Sequence, residues 1–257
     1  MEAVVEKKPA AFNRWLPYWA VFQSDVRQTL RSWVYRFWVL LTVLATVGYL
    51  LYNFGIYHEV GIVQSASLHI SRLLYWIVVA SAVIICVLTA SSITAERGTM
   101  ADSVLSRGIS RYQYFLGKWH ARLATVLGTF LLLGALVLLS AWLLLHEDLS
   151  WHGSLVALAM VAVLLSTVIT CGVTVSAIAN STVLGIAVLW SILCIAAFLL
   201  QYLPSRYLSP DRALQRLPFI LQGHYDLHSL AEFAGWSMLV SCVTALIGLI
   251  YFSRRDV

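Results

Sequence analysis

The sequence predicts an all-α integral membrane protein. Its parts are an amphipathic interfacial helix near the start, six transmembrane helices, a short amphipathic helix in one basic loop, and a re-entrant or interfacial segment before the last span. Three observations lead there. Of 257 residues, 60% are hydrophobic and 11% charged, against roughly 25% charged in a soluble domain. Six apolar stretches reach the roughly 20 residues that a helix needs to cross a bilayer. The Lys and Arg residues sort to one side of those stretches. A disordered chain, a collagen-like fibre and a secreted disulfide scaffold are excluded on composition, and a soluble enzyme is disfavoured.

The six stretches are Val34–Phe54, Leu73–Ile93, Leu123–Leu145, Leu155–Ala179, Val183–Leu203 and Phe233–Phe252. Inside lipid, backbone amides must be paired within the segment, so each is expected to be helical. Lys7, Lys8, Arg14, Arg27, Arg31 and Arg36 precede or open the first span. Arg97, Arg107, Arg111, Lys118 and Arg122 lie between the second and third, and Arg254 and Arg255 follow the sixth. The alternate loops hold only Arg72, Arg206, Arg212 and Arg216. By the positive-inside rule both termini are expected in the cytoplasm. The net charge of +5 is then a signature of topology and not of nucleic-acid binding. No short apolar core with a small-residue cleavage site opens the chain, so no removable signal peptide is expected. Cys86, Cys171, Cys194 and Cys242 all fall in apolar runs without metal-site spacing, and read as small packing residues.

Residues 1–33 form an arm. Phe12, Trp15, Leu16, Trp19, Phe22, Val26 and Leu30 recur at three- and four-residue steps. That spacing predicts a helix lying on the membrane surface, with Trp15, Trp19 and Phe22 in the interface and the basic residues towards anionic lipid. Pro17 is expected to break its first turn. Residues 34–257 form the six-span domain, with long segments at 94–120 and 204–232.

The basic loop at 94–120 carries the most information. Gly98 and Gly108 bracket about two helical turns, in which Met100, Val104 and Leu105 share a face. Thr94 or Thr99 is placed to cap a helix, and Ser110 to start the next one. A short helix clamped between two spans is a rigid lever. In the segment at 204–232, Ser209-Pro210-Asp211 is a helix-start signal, and Pro218 and Gly223 are interruptions. His224 and His228, four residues apart, are weak metal candidates.

Glu96-Arg97-Gly98-Thr99, Leu105-Ser106-Arg107, Ile109-Ser110-Arg111 and Leu116-Gly117-Lys118 together resemble the signature of ABC-2 type transporter permeases. The sequence departs from that signature in lacking a second acid after Arg97, and in carrying Met100 for Leu and Gly108 for Pro. The resemblance implies that the loop is a cytoplasmic coupling helix seated in a groove of a separate ATPase. Glu96 and Arg97 would make charged contacts at its start, and Gly98 would permit the turn. Arg107 and Arg111 would face the ATPase or lipid phosphates, and Lys118 would mark the return to the membrane interface.

The resemblance also implies a bacterial-type inner membrane, two copies of an ABC ATPase subunit carrying Mg-ATP, and a second permease as a homodimer or paired chain. No cofactor is expected in this chain, and no nucleic acid. The function implied is export of a lipid-like, drug-like or glycan substrate. The alternative is a mechanotransmitter or anchor acting on an outer-face, metal-related partner. No Gly-x-x-x-x-Gly-Lys-Ser/Thr loop occurs, so ATP binding must come from elsewhere. An intramembrane enzyme is disfavoured because no span carries His, and no Gly-x-Ser-x-Gly is present.

Overall fold

The structure is a computed structural model that describes residues 15–60, 65–96, 109–145, 148–202 and 209–254. Every regular element among the described residues is an α-helix, without strands. The helices are α1 (Leu16–Arg31), α2 (Trp33–Val60), α3 (Ala66–Thr94), α4 (Arg111–Leu145), α5 (Trp151–Ile178), α6 (Thr182–Gln201), α7 (Pro210–Gln215), α8 (Leu217–Leu221) and α9 (Leu227–Arg254). Six of them, α2 to α6 and α9, are long and apolar enough to cross a membrane. The chain is a multi-pass membrane protein. Its outward-facing surface fits that solvent: Trp33, Leu51, Val183, Leu199 and Trp236 are all more than 60% exposed, a density of apolar surface that water does not tolerate.

The helices outrun the predicted spans at several ends. α3 starts at Ala66, α4 at Arg111 and α9 at Leu227. The 35 residues of α4 rise about 52 Å, well beyond a hydrocarbon core of about 30 Å. Its basic first turns, Arg111 to Arg122, therefore extend past the apolar run that begins at Leu123.

α3 and α5 form the centre, with half or more of each span buried, whereas only 11% of α2 or α6 is. α5 packs most extensively on α9 and α3, and α1 packs on α4. Lipid tails are as apolar as Leu, so helices here associate through close packing and hydrogen bonds. Gly172 of α5 faces Thr89 of α3 so closely that a Cβ would overlap the hydroxyl, and a Cβ on Gly248 of α9 would lie 2.8 Å from Thr174 Oγ1. Thr174 Oγ1 donates to Thr244 O at 3.0 Å, and Ser241 Oγ to Thr167 Oγ1 at 3.1 Å. Ser176 Oγ accepts from the amides of Ile93 and Thr94 at 2.9 and 3.1 Å. Trp38 Nε1 donates to Ser81 Oγ at 2.8 Å. By contrast Thr42, Ser140, Ser166 and Ser191 bond a carbonyl on their own helix, so only some of the hydroxyls tie neighbours together.

Two expectations about helix ends are corrected. Pro17 lies in the first turn of α1, where a missing N–H costs nothing, so it starts the helix and does not break it. Thr94 ends α3: its hydroxyl donates to Ala90 O at 2.7 Å and meets Thr182 Oγ1 at 3.0 Å. Ser32, extended at φ −64 and ψ 139, separates α1 from α2. Its hydroxyl donates to Thr29 O and accepts from Tyr35 N, which serves one helix end and caps the other.

At the far end of the bundle, Ser209 caps α7 by accepting from Arg212 N at 3.4 Å, as the Ser-Pro-Asp signal predicts. α8 then wedges against the first turns of α3 and α5. Leu221 O accepts from Ser150 N at 2.8 Å, and Gln222 Nε2 donates to Ser67 Oγ at 2.9 Å. Gly153 makes this approach possible, since a Cβ there would collide with Ile220 O.

Overpacking a close helix crossing costs about 1–3 kcal/mol. Gly172→Leu is therefore expected to lower the thermal midpoint of the detergent-solubilised protein by several degrees. Gly128→Ala, with nothing within 4 Å of the new Cβ, is expected to leave the midpoint unchanged or raise it. Tryptophan fluorescence melting reads both.

Candidate functional site

α1 has three faces. Trp15, Leu16, Trp19 and Leu30 point outward and Phe22 is half-buried; Gln23, Arg27, Gln28 and Arg31 are also exposed. The third face, Val21, Asp25 and Thr29, is buried. These residues stand at i, i+4 and i+8, one stripe of a helix, and the stripe lies on α4.

Gly117 sets the spacing of that contact. A Cβ there would come 2.9 Å from Val21 Cγ1 and 3.3 Å from Tyr18 O. With α1 this close, Asp25 meets the next residue of α4. Lys118 Nζ lies 2.9 Å from Asp25 Oδ1, 2.6 Å from Glu96 Oε1 and 3.0 Å from Ser92 O. An ammonium has three hydrogens, and here each has an acceptor on a different partner: α1, the residues just after α3, and the last turn of α3 itself. One helical turn on, Arg122 grips the same carboxylate, with Nη2 to Oδ1 at 3.3 Å and Nε to Oδ2 at 3.2 Å.

The cluster holds two acids and two bases, so it is neutral as a unit. Asp25, Lys118 and Arg122 are 1%, 2% and 6% exposed. Glu96 is the half-open member. Burial pushes its carboxyl up, but the Lys118 ammonium and hydrogen bonds from Lys118, Tyr114 and Gln28 outweigh that, so it is held below the usual carboxylate range. Tyr114 donates to Glu96 Oε2 at 2.7 Å, and its ring stacks on Phe252 of α9. Arg111 Nη1 donates to Ser253 O at 3.3 Å. On the outer side of α1, Tyr18 OH and His120 Nδ1 share a hydrogen bond of 3.1 Å. The end of α3 and the middle of α1 thus meet at the Lys118 ammonium near the start of α4, and the end of α9 joins them through Tyr114 and Arg111.

Of the residues singled out by sequence, Glu96, Arg111 and Lys118 converge here. Lys118 is a correction: expected at the membrane interface, it is turned inward and fully engaged. Glu96, expected to face a partner, reaches inward to Lys118 and Tyr114. Arg97, Gly98, Thr99, Met100, Val104, Leu105 and Arg107 lie outside the described residues. Asp25, Gln28, Tyr114 and Arg122 were missed. A signal for Asp25 did exist: it is the only acid in α1, four residues from apolar Val21, which is an odd place for a carboxylate on a cationic interfacial helix.

The histidine pair is also corrected. His224 precedes α9 in an irregular turn, so the four-residue spacing does not fall on a helix. His228 Nε2 lies 3.4 Å from Glu232 Oε1 on the surface. No group of three metal-ligating side chains occurs among the described residues.

Compared with known protein families and with curated proteins, the sequence gives no match.

Removing one member of a buried ion network strands the other, at about 3–5 kcal/mol. Lys118→Met is therefore expected to lower the melting temperature sharply and to expose α1 to limited proteolysis, while Lys118→Arg does so less. Glu96 has a folded pKa below its unfolded value of about 4.3. Its contribution is complete above that value and is lost as pH falls through the folded pKa. Stability measured from pH 7 to pH 3 is expected to drop below about pH 4.3, and Glu96→Gln is expected to flatten that part of the profile.

Proposed function

We propose that the chain is the permease subunit of an ATP-binding-cassette exporter of the ABC-2 type, with a separate ATPase acting on residues 97–108. The observation that carries this reading is the run from Glu96 to Lys118. Its motif residues flank the segment joining α3 to α4, and its two ends, Glu96 and Lys118, are ion-paired to each other. A push on that segment would be felt at once by α1, α3 and α4, because Asp25 of α1 and the end of α3 both bind the ammonium that α4 carries. An amphipathic helix ahead of the first span and six spanning helices support the same reading. So does the lack of a phosphate-binding loop in the sequence.

Export requires two such half-pathways, so the working unit in this proposal is a dimer or a pair of permeases with two ATPase subunits. The spans carry no ionisable residue at mid-depth, which disfavours ion-coupled transport and suits an amphipathic or apolar cargo moved by helix displacement. In this orientation the α1 end faces the cytoplasm.

The test is to co-purify the chain with any ABC ATPase found encoded beside it and to measure ATP turnover in lipid nanodiscs. Arg97→Ala and Arg107→Ala are expected to preserve folding yet reduce the permease-dependent part of turnover about fivefold or more, the lower range of allosteric coupling. A folded complex whose turnover ignores both substitutions overturns the proposal, as does failure of any nucleotide-hydrolysing subunit to bind.

A further inference from the structure

At the end of the bundle opposite Asp25, α8 and the start of α9 part to leave a cleft of about 290 Å³, close to the lower size of small-molecule sites. The chain path explains the opening. α8 ends at Leu221, and Gly223 takes φ 91, a left-handed value that glycine accepts without strain. His224 N then donates back to Phe219 O at 2.9 Å. The reversal lets α9 leave at an angle to α8 instead of packing on it. Arg216, the N-cap residue of α8, and Phe219 and Ile220 of α8 form one wall, while Tyr225, Ser229 and Leu230 form the other, with His224 at the turn.

The lining divides by chemistry. Phe219, Ile220 and Leu230 supply an apolar floor, and Phe219 is 61% exposed. Around it, the Arg216 guanidinium, the His224 ring and the Tyr225 hydroxyl have no hydrogen-bond or ion-pair partner among the described residues. All three can donate, His224 in either protonation state. Asp226 also borders the cleft, but its carboxylate is already committed. Oδ2 accepts from Ser229 Oγ at 2.7 Å and from Ser229 N at 3.3 Å, and Oδ1 accepts from His228 N at 3.1 Å. The hydrogen bonds from Ser229 and His228 hold the Asp226 carboxyl below its usual range. It therefore keeps its negative charge at the first turn of α9, where a helix end favours an anion, and forms an acidic edge of the cleft. The uncommitted groups of the cleft are donors.

The cleft also lies at the level where the apolar helices end. Trp151, which opens α5, is 62% exposed and Leu227, which opens α9, is 69% exposed. Both are aromatic or aliphatic groups at span ends, where headgroups meet hydrocarbon. We infer that this cleft binds an amphipathic anion, a phosphate-bearing head against Arg216, His224 and Tyr225 with its hydrocarbon chain along Phe219 and Leu230. The head could come from a membrane phospholipid or from a single-chain alkyl phosphate; the recognition chemistry is the same. The inference needs only a membrane-embedded bundle and stands apart from the transport reading.

Native mass spectrometry of the full chain, released from detergent with defined additives, tests it. Phosphatidylglycerol is expected to bind about tenfold more tightly than phosphatidylcholine of the same chains, the scale of a charge-assisted contact. Arg216→Gln with His224→Gln is expected to erase that preference while circular dichroism and melting stay unchanged. Phe219→Ser is expected to weaken phosphatidylglycerol and dodecyl phosphate alike. Displacement of bound phosphatidylglycerol by dodecyl phosphate at micromolar levels assigns the site to the phosphate head plus one chain. Retention against it assigns the site to the two-chain lipid, and either result supports the inference. Equal binding of the two lipids, survival of the preference in the double variant, or displacement by inorganic phosphate as readily as by dodecyl phosphate overturns it.

Discussion

Lys118 Nζ has three acceptors within 3.0 Å, one from α1 and two from the continuous stretch that ends α3. In an environment of low polarity such an ammonium cannot be left half-paired, because the cost of stripping water from it falls on whatever contacts remain. The arrangement is therefore close to all-or-none. If α1 lifts away, Asp25 leaves Lys118 and Arg122 together, and two cations face each other one helical turn apart. If Glu96 moves, the ammonium loses its shortest contact. Position at this end of the bundle is fixed by electrostatic balance together with the apolar packing of Val21, Tyr114, Phe115 and Phe252.

The remainder of the bundle is held differently. Where α3 and α5 cross within the bundle, the contacts involve no charged side chain. Glycines at close crossings and single hydroxyl bonds between helices do the work, each worth about 1 kcal/mol or less. Such seams are numerous and individually weak, and they allow small sliding of one helix on another. A stiff, charge-locked end joined to a bundle with compliant seams is a sensible mechanical layout for a membrane protein worked from one side. A displacement at the lock would be delivered whole to the ends of α1, α3, α4 and α9, and then absorbed along their lengths.

Many features were legible in the sequence because they depend on local pattern. The six spans follow from uninterrupted apolar length. The start of α7 follows from Ser209-Pro210, since Pro fixes φ and Ser supplies an acceptor for the first free amide. The helix α1 itself follows from the three- and four-residue recurrence of Trp15, Trp19, Phe22, Val26 and Leu30. The errors share a physical cause as well. Lys118 looked like an interfacial anchor because a lone cation beside a span usually reaches for headgroups, and Pro17 looked like a breaker because its place in the first turn depends on where the helix starts.

The sequence by itself determined the solvent and the count of crossings, because hydrophobic length is a one-dimensional property and lipid forces each such length into a helix. Only the tertiary structure decided what the charges do. Asp25, Glu96, Lys118 and Arg122 are separated by up to 97 residues, and nothing in the spacing of one reveals another. They meet because Gly117 lacks the Cβ that would hold α1 away from α4. A buried charge is tolerated only where a partner of opposite sign is brought to it through space.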